Sequence, residues 1–218
     1  NTNTMETLKS TTSNYGQVLN VLKSQRILWF GVCFGIDVYD TYLHKYPSPD
    51  PTDIERRERG AFAKYEDFFG RLCWMGLSYG AWGLLLKKNI EKTKDDEPMT
   101  IFEKLCVGGI IGGWALRIWC KYIMGKRYTY SIVVYREHEI MSDGPYNYIR
   151  HPGMFGMLLN LGATYAWLNH WWGWSVFGLC VRDTYVQIVD EEATLVENIL
   201  EYRSYQKKVP WRIIPYVW

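Results

Sequence analysis

Residues 152–181, PGMFGMLLNLGATYAWLNHWWGWSVFGLCV, run for thirty positions without a Lys, Arg, Asp or Glu. A helix needs about 20 apolar residues to cross a bilayer, so this stretch is too long for one ordinary crossing. Such a length predicts a tight helical hairpin turning near 169–173, between Asn169 and Gly173. Pro152 suits the first position of a helix, where its missing N–H costs nothing. After the hairpin, residues 191–208 are charged, with Leu195, Ile199, Tyr202 and Tyr205 at helical spacing, and they predict a further helix. Residues 210–215, PWRIIP, should cross back as an amphipathic cap at an interface.

Upstream, Arg71 and Lys87 enclose fifteen positions without a charge, and residues 107–120 are interrupted only by Arg117. Both are short for a span, although terminal Lys and Arg can snorkel. Helices are predicted at about 71–87 and 104–124, separated by a charged loop that ends in Pro98. Residues 26–42 form a weaker apolar segment, because Asp37 and Asp40 would be costly in a span unless they faced protein or water. Aromatic residues make up 17% of the 218, with eleven Trp and seventeen Tyr, residue types that concentrate where rings meet headgroups. The mean hydropathy of −0.22 averages such stretches with polar ones and does not argue against a membrane. The expected fold is an all-α integral membrane protein with about four to five transmembrane helices, including the C-terminal hairpin, and an interfacial C-terminal helix. Residues 1–70 are read as a polar arm, a weak apolar helix and a charged loop, and residues 71–218 as the membrane domain. Lys126, Arg127, Arg136, Arg150, Lys207, Lys208 and Arg212 would share one side, the cytosol or matrix by the positive-inside tendency.

Within the arm, the mixed-charge run 53–59 reads as a loop followed by a solvated helix. Residues 128–139 carry Ile132, Val133, Val134 and Tyr135 and should be extended or irregular. Residues 142–145 make a turn. The five cysteines have no metal-type or paired spacing and read as packing residues. Four scattered histidines leave metal binding without support, and nothing points to nucleic acid. No Ser-rich cleavable signal peptide stands at the start, and the opening at Asn1 leaves removal of a preceding segment open.

The pieces that carry chemistry lie in the second half. Leu116, Arg117, Ile118 and Trp119 sit on one span, followed by Gly125 and Tyr128-Thr129. His138 stands six residues before Gly144-Pro145-Tyr146. Then come Arg150-His151-Pro152 with Gly156, Glu191-Glu192 with Leu195, Glu201-Tyr202 with Tyr205, and Val209-Pro210. In this order, over residues 114–218, they resemble the isoprenylcysteine carboxyl methyltransferase family and its phospholipid methyltransferase relatives. The resemblance implies S-adenosylmethionine in a pocket at the inner face, covered by the C-terminal segment. It implies that His138, Ile140 and Met141 lie along that cofactor, that Tyr146 and His151 line its pocket, and that Glu191 or Glu192 closes the site near the methyl acceptor. Arg150 stands beside them as a candidate for the chemistry or as an anchor to headgroups. Methyl transfer asks for alignment of donor and acceptor rather than a strong acid or base, and alignment can lower a barrier by roughly 7 to 11 kcal/mol.

The chain departs from the pattern at several points. Gln187 stands four residues before the acidic pair, where the family pattern has an arginine expected to hold the acceptor. Met154 replaces a tyrosine, and a glycine expected before Glu201-Tyr202 is missing. Arg182 lies more than two helical turns from Glu191. Two expectations follow. One is an S-adenosylmethionine-dependent methyltransferase acting on a membrane-embedded acceptor, a prenylcysteine carboxylate or a lipid amine. The other is a catalytically degenerate accessory subunit, structural or lipid-binding, with partner subunits in a larger membrane complex. The first suits the endoplasmic reticulum and the second the mitochondrial inner membrane.

Overall fold

The structure, a computed structural model, describes residues 24–39, 54–57, 63–95, 97–125, 128, 133–135 and 140–218. The polar arm before residue 24, most of the proline-containing loop, and His138 lie outside the described residues. Those described form six α-helices: α1 (Gln25–Val38), α2 (Ala63–Lys94), α3 (Ile101–Met124), α4 (Pro152–Leu168), α5 (Trp171–Asn198) and α6 (Leu200–Lys208). A two-stranded antiparallel ribbon joins β1 (Ile54–Arg57) to β2 (Val133–Tyr135), with an irregular register between Ile54 and Arg56. The fold is helical as expected, and residues 133–135 are extended as expected. The charged run around β1 is a strand rather than a loop leading into a helix. Its partner lies some eighty residues away, and a pairing of that kind leaves no trace in local charge pattern. α2 runs unbroken through residues 70 and 71.

The hairpin is present. α4 ends at Leu168, Asn169 takes the left-handed conformation (φ 51, ψ 52), and α5 begins at Trp171. Asparagine tolerates that conformation at a helix end better than most residues. Lys88 of α2 closes the same end from outside, its Nζ donating to the carbonyls of Trp167 (2.8 Å) and Leu168 (3.1 Å). α5 does not stop at the last apolar residue. It carries the charged half through to Asn198 and breaks only at Ile199, whose backbone is extended (φ −130, ψ 107), before α6 begins. Residues 209–218 cross back as expected, but as turns rather than helix. Pro210 and Pro215 lack the N–H groups that a helix interior needs.

α3 and α4 pack most closely, through glycine. A Cβ on Gly113 would lie 2.5 Å from the Gly156 carbonyl oxygen and 2.8 Å from the Asn160 nitrogen. Both are backbone atoms, so the helices must part to admit it. Gly113→Ala is therefore expected to lose about 1–3 kcal/mol of stability, the usual cost of overpacking. Alanine's better helix propensity, up to about 1 kcal/mol, offsets only part of this. A denaturant titration checks it, and an unchanged midpoint would show that the crossing is looser.

The main core gathers Phe30 and Cys33 of α1, Trp82 and Leu85 of α2, Ile110 and Trp114 of α3, and Tyr165 and Trp167 of α4. Phe30 meets the Trp82 ring edge-on at 5.5 Å between centroids. The four cysteines whose side chains are described are all free and buried, as packing residues. A buried ion cluster ties α1 to this core. Arg26 donates to Glu103 Oε1 (2.8 Å) and to the carbonyls of Glu97 (3.0 Å) and Pro98 (2.6 Å). Glu103 is at the same time the reciprocal partner of Thr100 in the capping box that starts α3.

Against the four to five membrane crossings expected from sequence, no helix among the described residues is both long and apolar enough to cross a membrane. The 17 residues of α4 are uncharged but span about 26 Å, short of a hydrocarbon core of about 30 Å. The longer helices carry charge. α3 includes Glu103, Lys104, Arg117 and Lys121, α2 ends in a run of lysines, and α5 is apolar only to Val181.

Candidate active site

Gly144 opens the approach to the site with φ +57, a conformation that glycine adopts freely. A Cβ there would also strike Ile123 Cδ1 at 2.5 Å. The following 3-10 turn (Gly144–Asn147) buries Pro145 and Tyr146 and delivers Arg150 and His151 to the start of α4. His151 occupies the N-cap position but makes no side-chain cap, so its ring is free to turn elsewhere. It turns to α5. Its Nε2 lies 3.1 Å from Glu192 Oε1. An ionised carboxylate only accepts, so the ring nitrogen donates.

Glu192 is the hub. Its carboxylate accepts from Arg150 Nε (2.6 Å) and NH2 (3.3 Å), His151 Nε2, and Arg212 Nε (2.9 Å), with Gln206 Nε2 at 3.5 Å. The remaining Arg150 NH1 donates to the Val209 carbonyl at 2.7 Å. Glu192, Arg150 and His151 are only 3%, 8% and 7% exposed. Burial alone would push the Glu192 carboxyl up. The hydrogen bonds from His151, Arg150 and Arg212, with the Arg150 charge, outweigh it and hold the group at about 2. Arg150 is thus a buried ion-pair partner, not a headgroup anchor.

Glu191 differs from its neighbour. A third of its side chain is exposed, and its Oε2 lies 3.9 Å from His151 Nδ1, beyond hydrogen-bond distance. Of the two carboxylates, it is the one left accessible.

The C-terminal segment seals this cluster. Arg150 N donates to the Trp211 carbonyl (2.9 Å) and His151 N to that of Arg212 (2.8 Å). Tyr205 OH donates to the Tyr146 carbonyl (2.7 Å), while Tyr146 OH reaches Met124 Sδ (2.9 Å). Ile140 packs on a second small core of Ile199, Tyr202, Tyr205 and Val209.

The described residues that the resemblance places along S-adenosylmethionine are mostly turned to protein in this structure. Tyr146 and His151 are buried, with Tyr146 OH on Met124 Sδ and His151 Nε2 on Glu192, while His151 Nδ1 stands 3.9 Å from Glu191. Ile140 faces protein, and Met141 is half-buried. The structure therefore joins Arg150, His151, Glu191 and Glu192, sets Tyr146 and Ile140 at their edge, and leaves His138 outside the described residues. Sequence reading did not find Arg212 as the third side chain donating to Glu192. Its spacing in the tail carries no helical or motif signal; only Pro210 before it marks where the chain turns back.

Two comparisons bear on this region. The family described as isoprenylcysteine carboxyl methyltransferase (ICMT) matches residues 105–197. A relative from Schizosaccharomyces pombe, Protein-S-isoprenylcysteine O-methyltransferase, is 28% identical over 115 residues, 51% of this chain. The chain covers 49% of that relative, about half its length. The matched region begins on α3, takes in both members of the hairpin and the whole of Arg150, His151, Glu191 and Glu192. Over residues 105–197 this chain is similar to the isoprenylcysteine carboxyl methyltransferase family.

Proposed function

We propose that this chain transfers a methyl group to the carboxylate of a prenylated cysteine, with S-adenosylmethionine as the donor that the family relationship suggests. The observation that carries the reading is the meeting of Arg150, His151, Glu191 and Glu192 where the start of α4 faces the charged half of α5, inside the family-matched region. In this reading Glu192 and Arg150 position the His151 ring, and Glu191, the accessible carboxylate, faces the reactants. Exposed apolar side chains support an acceptor that carries a lipid: Ile101, Leu105, Trp119, Tyr122 and Leu179 all project from the surface of α3 and α5. A membrane setting, in the endoplasmic reticulum or the mitochondrial inner membrane, belongs to the same proposal.

The test is methyl incorporation into N-acetyl-S-farnesylcysteine by the purified chain. Glu191→Gln is expected to lower kcat/KM by roughly 10- to 100-fold, the scale of a positioned proton-transfer or electrostatic group. Because Glu191 stands outside the saturated cluster, the unfolding midpoint should stay put. A second reading is favoured by the saturation of Glu192 and by exposed Gln187 in place of an arginine. In it the chain is an accessory subunit in which the same cluster only holds the fold. No incorporation by a folded sample would select that reading.

A further inference from the structure

Beyond Pro210 the chain makes a tight return in which three successive N–H groups converge on one atom. Arg212, Ile213 and Ile214 donate to the main-chain oxygen of Trp218 at 3.0, 3.0 and 3.2 Å. Successive main-chain N–H groups aimed at a single point form a concave nest of fixed partial positive charge, suited to an anionic oxygen. The return is not one the local sequence prefers, since Tyr216 adopts φ +66, uncommon for a bulky side chain. The return is closed by that oxygen, by Val217 N and Trp218 N donating to the Ile214 carbonyl, and by the Trp218 ring, whereas the nest residues are held from the other side by His151 N on the Arg212 carbonyl and by buried Ile213. That ring stacks on Tyr185 (5.0 Å, 22°) and lies 5.1 Å from the Arg212 guanidinium carbon.

The nest adjoins the ion cluster directly. Arg212 supplies its first N–H, its carbonyl accepts from His151 N, and its Nε donates to Glu192 Oε2. The Arg212 guanidinium, shared with the Glu192 carboxylate, therefore belongs to a residue of the nest itself.

We infer that this nest receives the carboxylate of the methyl acceptor, and that the Trp218 main-chain oxygen competes for it. The inference rests on the methyl-transfer reading and deepens it. It supplies what Gln187 lacks. Main-chain donors beside Arg212 take the part of the arginine that the family pattern places four residues before the acidic pair. It also specifies the acceptor as a free carboxylate, since an ester or amide brings no anionic oxygen to the nest.

Calorimetric binding of N-acetyl-S-farnesylcysteine and of its methyl ester tests this, using the full chain and a variant lacking Val217 and Trp218. The shortened chain should bind the free carboxylate roughly tenfold or more tighter than the full chain does, the scale of a charge-assisted hydrogen bond. Its affinity for the ester should be unchanged. Ile214→Pro in the shortened chain removes one N–H of the nest at an exposed side chain and should abolish the gain. An equal carboxylate-to-ester ratio in full and shortened chains overturns the nest assignment while leaving methyl transfer standing. Binding of neither compound to either chain removes the methyl-acceptor reading, and this inference with it. If the shortened chain does not fold, Trp218→Gly in the full chain loosens the same oxygen by removing the ring held by Tyr185 and Arg212. The same contrast is expected there.

Discussion

Glu192→Ala is expected to destabilise the chain by about 3–5 kcal/mol, the cost of breaking a buried ion pair by removing one partner. The value should lie toward the upper end, because one carboxylate serves Arg150, His151 and Arg212 together. Without it, Arg150 keeps only the Val209 carbonyl. Equilibrium denaturation measures the loss, and a cost below about 1 kcal/mol, typical of exposed pairs, would show that the cluster is solvated. Replacing both partners with apolar residues, Arg150→Met with Glu192→Leu, should cost less than Glu192→Ala alone, since no charge is left stranded. The same group sets an acid limit. Its folded-state value of about 2 lies below the ordinary 4.5, so the folded chain binds this proton less readily than the unfolded chain. The stabilisation is complete above pH about 4.5 and drains away as pH falls toward 2. Glu103 has the same sign and the same window, with burial again opposing and Arg26 and Thr100 outweighing it. Unfolding midpoints measured across that interval should fall steadily, and Glu192→Gln should flatten part of the decline.

Arg26→Ala should follow, with a loss of about 3 kcal/mol, the lower end for a broken buried pair. Glu103 does not become wholly stranded, because Lys92 Nζ remains at 3.4 Å and Thr100 N at 2.9 Å. The carbonyls of Glu97 and Pro98 lose their donor, and α1 loses its fixed point on the α2–α3 connection. Proteolysis adds a spatial readout. Cleavage within α1 should accelerate relative to cleavage within the α4–α5 hairpin if Arg26 is the latch for that helix. Equal acceleration at both sites would mean that the whole core depends on it.

The two substitutions bear on different halves of the molecule. Glu192 joins the start of α4, the end of α5 and the tail, all in or beside the family-matched region. Arg26 fastens a helix that lies outside it. A chain built this way can lose its N-terminal docking and keep its site, or lose its site and keep its core, and the pair of measurements separates those outcomes.

Sequence alone determined the features that depend on neighbours along the chain. The uncharged length of residues 152–181, broken by Asn169 and His170, dictates a hairpin. Pro152 dictates where α4 begins, and the ordered motifs from Gly144 to Glu192 carry the family resemblance. Charge counting could not tell a bilayer from a protein interior, because Leu, Trp and Phe leave water for either. Among the described residues, none of the helices that the apolar stretches form is both long and apolar enough to cross a membrane. Only the tertiary structure decided which partner each charge takes. Arg150 stands 42 residues from Glu192, Arg212 stands 20, and Arg26 stands 77 from Glu103. A lone buried charge costs several kcal/mol, so such groups persist only where the fold brings opposite charge within about 3 Å. That proximity belongs to the packing of whole helices and to the backbone return at Trp218, and no local pattern of residues contains it.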